Sequence, residues 1–366
     1  MGNEECIYLN GENKKQSQKL YEDVFSEDRK EFVDYYYENI GKRNKILAVK
    51  AAGKGEDERE ICGMLHQNPH NIWIGQAEVK TEYIYAVAVG EAHRHKGYMR
   101  RMLGMALQNI FKENICFTYL FPVRRGLYEP FGFGYVDSLK TTECEKSDTI
   151  KRKNEGGKLI SDMDKEMDWM ETERFIRIDC QKRQGIYLAQ TEAYLKEWLE
   201  LARKNGEQSN IFIYKKQREI SQKEISQKTG KEKAMRAVLK IIDGEITEAM
   251  GDAEDVKEAW VLWKSQFARS QTERVGGDIE DKTVDMLPAM VRILHLETFI
   301  SYLLFPGWVN VSFFIEDELF PENQGVYRVR EGKGKKVGGS CDRRMHIREF
   351  TEWLFTLIPF RIQDQI

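Results

Sequence analysis

The spacing of apolar positions divides the first third of the chain into alternating elements. SQKLYEDVFS and EDRKEFVDYYYENI carry apolar residues at helical intervals, with Ser26 the expected N-cap and Arg29 and Glu31 in the opening turns. KILAVKAA, EICGMLHQNP and NIWIGQAEVKTEYIYAVAV are rich in β-branched and aromatic residues and predict strands. YMRRMLGMALQNIFKE repeats Met99, Met102, Leu103, Ala106, Leu107 and Ile110 at helical spacing. ICFTYLF reads as a further strand closed by Pro122, and VRRGLYEPFGFGYV as a short helix and a glycine-punctuated turn. The order is two helices, three or four strands, helix, strand, helix, strand, a mixed α/β domain.

Beyond it the pattern changes twice. The charged, weakly apolar run ECEKSDTIKRKNEGGKLISDMDKEMDWM predicts a surface connection, which sets a boundary near residue 152. YLKEWLELARK, MRAVLKIIDGEITEAMG and AEDVKEAWVLWKSQFA then alternate helix and strand again, up to a second linker, RVGGDIEDKT. The last part reads as an apolar helix (AMVRILHLETFISYLL), strands through VNVSFFIEDELF and GVYRVREG, and an amphipathic helix, IREFTEWLFTLI. The expected domains are therefore residues 1–152, 153–282 and 283–366. The longest apolar run, from Phe299, is interrupted by Pro306-Gly307 and holds Asn310, so it reads as a helix end and a strand, not a membrane span.

Composition narrows the classes of function. A net charge of −3 over 366 residues supplies no global field for nucleic acid. The six cysteines are scattered, with no C-x-x-C and no histidine at metal spacing, which predicts reduced thiols, no metal and a cytoplasmic setting. The opening MGNEECIYLNGENKK lacks the apolar core of a signal peptide, and Cys6 breaks the myristoylation pattern. Neither nucleic acid nor membrane is an expected partner.

One stretch carries chemistry. In VAVGEAHRHKGYMRRML a strand breaks into a basic turn that leads straight into a helix. Gly97 lets the loop curve tightly, the N–H groups from about His95 to Met99 could point at an anion, and the helix adds its positive dipole end. The edge Val87-Ala88-Val89 could pair with an extended, amide-bearing ligand. Coenzyme A has both parts, a diphosphate and a pantetheine arm. On these residues alone, a basic turn that binds nothing fits equally well.

The same residues resemble the acetyl-coenzyme A motif of the GNAT acetyltransferase superfamily: Val87-x-Val89, then Arg94-x-x-Gly97-x-Met99, with Met99 in place of a small residue. The resemblance assigns cofactor binding to Val87, Ala88, Val89, Arg94, His95, Lys96, Gly97, Tyr98 and Met99. LFPVRRGLYEPFGFGYV is similar to a segment of the enhanced intracellular survival (Eis) branch, and the resemblance implies that Tyr128 is the general acid; read without it, Tyr128 is better taken as a packing residue beside Phe131 and Phe133. RQGIYLAQTEAYLKEWL resembles that branch's second, degenerate acetyltransferase domain, and LPAMVRILHLETFISYL with IEDELFPENQGVYRVREG its third. The implied fold class is α/β and α+β: two tandem GNAT-like domains and a sterol-carrier-protein-like domain. The resemblance further implies that the α-carboxylate of Ile366 is the base, that acetyl passes directly to a primary amine of a cationic acceptor (aminoglycoside-like, polyamine or lysine), and that the chain is a homo-oligomer, as a hexamer in the family. The competing reading is a non-catalytic protein whose last domain binds an apolar ligand and whose first is a vestigial transferase.

Overall fold

A computed structural model describes residues 4–51, 60–136, 157–183, 185–217, 233–266 and 288–362. The chain separates into two compact units, one of Met1–Ser138, Gln184–Ala189 and Met286–Ile366, the other of Leu139–Arg183 and Gln190–Asp285. The expected boundaries near residues 152 and 282 lie outside the described residues.

The first unit opens with β1 (Glu5–Leu9), α1 (Gln18–Val24), α2 (Lys30–Arg43), β2 (Lys45–Lys50), β3 (Ile61–Ile74), β4 (Ala77–Val89), α3 (Tyr98–Lys112), β5 (Phe117–Leu120) and β6 (Gly134–Tyr135). The α2 N-cap is Arg29, without a side-chain cap, and not Ser26: α1 runs to Val24, and residues 25–28 form the turn between the helices, with Asp28 N–H donating to Phe25 O. NIWI completes β3, which folds back on β4 at a hairpin where Gly75 takes φ +58°. β1 arises from a segment whose polar surroundings gave no strand signal.

Later segments of the chain complete this sheet. β8 (Ile186–Leu188) pairs with Ile72–Ile74 of β3. β12 (Met290–Ile293) lies between β5 and β6, so the main order is β1-β2-β3-β4-β5-β12-β6, with β8 beside β3. AMVRILHLETFISYLL is thus not one helix but β12 followed by the short α7 (Leu296–Ser301). The unit ends with β13 (Val311–Glu316), β14 (Gly325–Arg330), β15 (Lys333–Val337), β16 (Arg343–His346) and α8 (Ile347–Phe355), the strands forming a sheet of order β15-β14-β13-β16. β15 and β16, both largely polar, are its two edges.

The apolar stripe of α3 drives this core: Met102, Leu103, Ala106, Leu107 and Ile110 are fully buried against Leu47, Val49, Leu65 and Ile84. Each such large side chain removed from water contributes about 1.5–3 kcal/mol.

The second unit holds β7 (Lys158–Ser161), α4 (Trp169–Lys182), α5 (Glu192–Lys204), β9 (Ser209–Gln217), β10 (Lys233–Ile242), β11 (Glu245–Gly251) and α6 (Ala253–Gln266). Its antiparallel sheet, β11-β10-β9-β7, packs Phe212, Leu239 and Ile241 against Val256, Ala259 and Trp263 of α6.

Candidate active site

β4 and β5 run parallel but share few rungs: Glu82 pairs with Thr118 and Tyr83 with Tyr119. β4 then continues to Val89 whereas β5 ends at Leu120. A register shift on the β3 side and a left-handed residue, Ala86 at φ +47°, mark a bulge there that turns β4 away from its neighbour. β3 occupies one edge of this stretch, through Gly63 opposite Val89 and Met64 opposite Ala88. Among the described residues no strand pairs with the other edge beyond Tyr83. Apart from Val89 O, which accepts from Arg94 Nε, the backbone groups of Val87-Ala88-Val89 on that edge pair with no strand and are open to an extended ligand.

The turn that follows leads into the N-terminus of α3. Gly90 N–H is fixed on Cys62 O at 3.0 Å, Glu91–His93 make one 3-10 turn, and Arg94 Nε reaches back to Val89 O at 3.4 Å. His95 (φ +64°) and Gly97 (φ +81°) both take left-handed conformations. Gly97 is the N-cap of α3 and no side chain caps that end; the helical hydrogen bond from Arg101 N–H to Gly97 O opens the ladder. The N–H groups of the first turn are left for an outside acceptor, reinforced by the dipole of a 15-residue helix. A Cβ built on Gly97 meets no protein atom within 4 Å, so the glycine faces open space. Arg94, His95, Lys96 and Arg100 are exposed around it. Tyr98 is buried and Met99 half-buried against the core, so these two offer their backbone and not their side chains. Arg101 is turned away, its guanidinium on Glu4 O at 3.0 Å.

Tyr128 comes to the same end of α3. It precedes the 3-10 turn Glu129–Phe131, in one buried cluster with Tyr98, Met102 and Phe133, and Arg100 lies 5.8 Å over the Phe131 ring. Burial pushes the phenol up to about 12, which keeps it a proton donor at neutral pH.

The supports of this turn were invisible in sequence. Gly132 (φ +79°) lets the chain pass the guanidinium of Arg292, to which a Cβ would come within 3.0 Å. A Cβ on Gly134 would stand 2.7 Å from Arg348 O in α8. Arg292 is fully buried, paired with Asp317 at 2.6 Å and stacked over Phe320. Arg348 pairs with Glu129 at 3.3 Å. Segments more than 150 residues downstream thus hold the Tyr128 turn in place.

On the face of β3 and β4 opposite α3 lies an aromatic layer that sequence reasoning passed over: Tyr21, Tyr36, Tyr37, His66, Tyr83 and Tyr85, continued by Tyr119 and Phe121. The alternation in YIYAV and the run Tyr35-Tyr36-Tyr37 were its signals. Burial lowers His66 to about 3 and His70 to about 4, so both are neutral. Ile366 lies outside the described residues. The last described part of the chain runs into this region: Phe360 packs edge-on to Tyr119 at 5.8 Å, and Ile186 brackets it through bonds to Pro359 O and from Arg361 N–H. A cavity of about 610 Å³ lies at the other end of β4, lined by Glu82, Glu113 and His70 among others, and plays no part in this constellation.

Residues 6–136 match the model of the acetyltransferase (GNAT) domain. No curated protein matches the chain in sequence. Solved structures do share its fold: a GCN5-related N-acetyltransferase from Anabaena variabilis superposes with a TM-score of 0.67 at 16% identity, over 96% of this chain and 90% of that one. A conserved protein of unknown function from Enterococcus faecalis gives 0.67 at 14% identity over 97% and 90%, and Eis1 from Mycobacterium abscessus 0.57 at 10% over 95% and 88%. Over residues 6–136 the chain thus matches the acetyltransferase (GNAT) domain, and it shares its fold with solved GCN5-related N-acetyltransferases.

Proposed function

We propose that the protein transfers acetyl from acetyl-coenzyme A directly to a primary amine of a cationic acceptor, an aminoglycoside-like molecule, a polyamine or a lysine side chain. One observation carries this reading: the open β4 edge and the uncapped N-terminus of α3 lie side by side, with Tyr128 behind them. Backbone N–H groups from His95 to Met99 hold the diphosphate, with Arg94 and Lys96 adding charge. Val87-Ala88-Val89 pairs with the pantetheine arm and positions the thioester beside the acceptor. Tyr128, kept protonated by its burial, gives its proton to the departing thiolate. For the base, the resemblance points to Ile366, and the course of Phe360 toward Tyr119 supports that direction.

The Eis branch, the degenerate second domain, the sterol-carrier-like third domain, a homo-oligomer and a cytoplasmic setting belong to the same proposal. Isothermal calorimetry with acetyl-coenzyme A, followed by coenzyme A release with polyamines, aminoglycosides and lysine peptides, tests it. Tight binding with amine-dependent release is the expected result. Binding without release from any acceptor refutes catalysis and favours the non-catalytic alternative.

A further inference from the structure

A single chain-end base takes one proton from nitrogen, whereas an ammonium acceptor must lose two, and the aromatic layer contains a directed hydrogen-bond chain. Asp28 Oδ2 accepts from the Tyr21 hydroxyl at 2.7 Å, and the Tyr21 oxygen lies 2.6 Å from the Tyr85 hydroxyl. An ionised carboxylate only accepts, so the Tyr21 proton points at Asp28. Tyr21 must then accept from Tyr85, which leaves the Tyr85 oxygen as an acceptor for an incoming N–H. The two ends are half-buried and the middle is sealed: Tyr21 is 0% exposed. Tyr85 stands next to the bulge at Ala86 and two residues before Val87, where the thioester would lie in the transferase reading. Asp28, in the turn between α1 and α2, touches solvent at the far end.

We propose that Tyr85, Tyr21 and Asp28 form a proton relay that deprotonates the acceptor ammonium before it attacks, a step that rests on the transferase reading above. The balance is R–NH3⁺ + acetyl–S–CoA → R–NH–COCH3 + HS–CoA + H⁺, in which nitrogen loses two protons. The first passes to the Tyr85 oxygen as the Tyr85 proton moves to Tyr21 and the Tyr21 proton to Asp28, which releases it to water. The second passes to the base proposed above as the C–N bond forms and the C–S bond breaks, while Tyr128 protonates the leaving sulfur; the base then releases its proton to water and Tyr128 regains one, which leaves a net release of one proton. The groups facing the relay do not compete for the proton. Tyr36, Tyr37 and Tyr83 are phenols, His66 is held neutral by burial, and Glu27 beside Asp28 adds negative charge that favours uptake. Burial also pushes the Asp28 carboxyl up, against the opposing Tyr21 bond.

The test compares Asp28→Asn, Tyr21→Phe and Tyr85→Phe with the parent protein. The probes are the best acceptor from a panel of spermidine, kanamycin and a lysine peptide, and 2,2,2-trifluoroethylamine, whose amine is uncharged at neutral pH. Each substitution should lower kcat/KM for the ammonium acceptor by about 10²-fold at pH 7. The deficit should shrink about tenfold per pH unit as free amine replaces ammonium, and the uncharged amine should lose no more than a few-fold. Acetyl-coenzyme A affinity should be that of the parent. A pH-independent deficit, or one equal for both amines, would mean that the residues only pack, and unchanged rates would remove them from the reaction; either overturns the relay while leaving the transferase intact. A parent protein that releases no coenzyme A with any acceptor overturns the transferase reading itself, and the relay with it.

Discussion

Gly97 is where the site can be tested with least ambiguity, because structure and ligand make separate demands on it. Its φ of +81° is a conformation that L side chains rarely adopt, and a β-branched residue there costs about 1–2 kcal/mol. A Cβ meets nothing within 4 Å, so the chain itself adds no clash. A bound diphosphate would fill that space. Losing one charge-assisted hydrogen bond from a displaced backbone N–H costs about 1.5–3 kcal/mol, or roughly ten- to a hundredfold in affinity. Gly97→Asn separates the two demands, since Asn tolerates the left-handed region yet carries a side chain. Thermal melting should place Gly97→Asn near the parent and Gly97→Val a few degrees lower. Calorimetry should find both at least tenfold weaker for acetyl-coenzyme A. Parent-like affinity in a folded Gly97→Val variant would show that no ligand approaches this backbone and would refute the phosphate cradle.

Other outcomes follow from the same geometry. Tyr128→Phe should reduce turnover by about 10² to 10⁴ while acetyl-coenzyme A affinity stays the same, read by steady-state rates and calorimetry; turnover within a few-fold would make Tyr128 a packing residue. Gly134→Ala sets a Cβ 2.7 Å from Arg348 O, a backbone atom that cannot swing away, and should lower the melting temperature by several degrees with loss of activity. His66 and His70 have folded values depressed to about 3 and about 4, so their neutral burial favours the fold fully above the unfolded value near 6.5. That stability is lost as pH falls from there toward the folded values, and melting temperatures measured between pH 7 and pH 4 should decline steadily; a flat profile would contradict their burial as neutral rings.

What the sequence determined by itself was local. α3 was legible because its apolar stripe repeats at helical spacing and its start coincides with Gly97, and the basic turn was legible because it sits between that helix and a β-branched strand. The second helix could be recognised but not its first residue, since Ser26 is a good capping type placed in a turn that α1 happens to require. β12 could not be read at all. Its four residues, Met290–Ile293, are buried on both faces and show no alternation, so MVRI merges with the apolar helix signal that follows. Its partners, Phe117–Leu120 and Gly134–Tyr135, lie more than 150 residues upstream. Arg292 carries no signal of its own within that apolar run, and only the fold pairs it with Asp317 and sets it against Gly132. The Tyr85–Tyr21–Asp28 chain depends likewise on α1 crossing β4. Periodicity and turn chemistry are written residue by residue along the chain, whereas strand insertion, buried charge pairing and hydroxyl chains are fixed by which distant surfaces exclude water together.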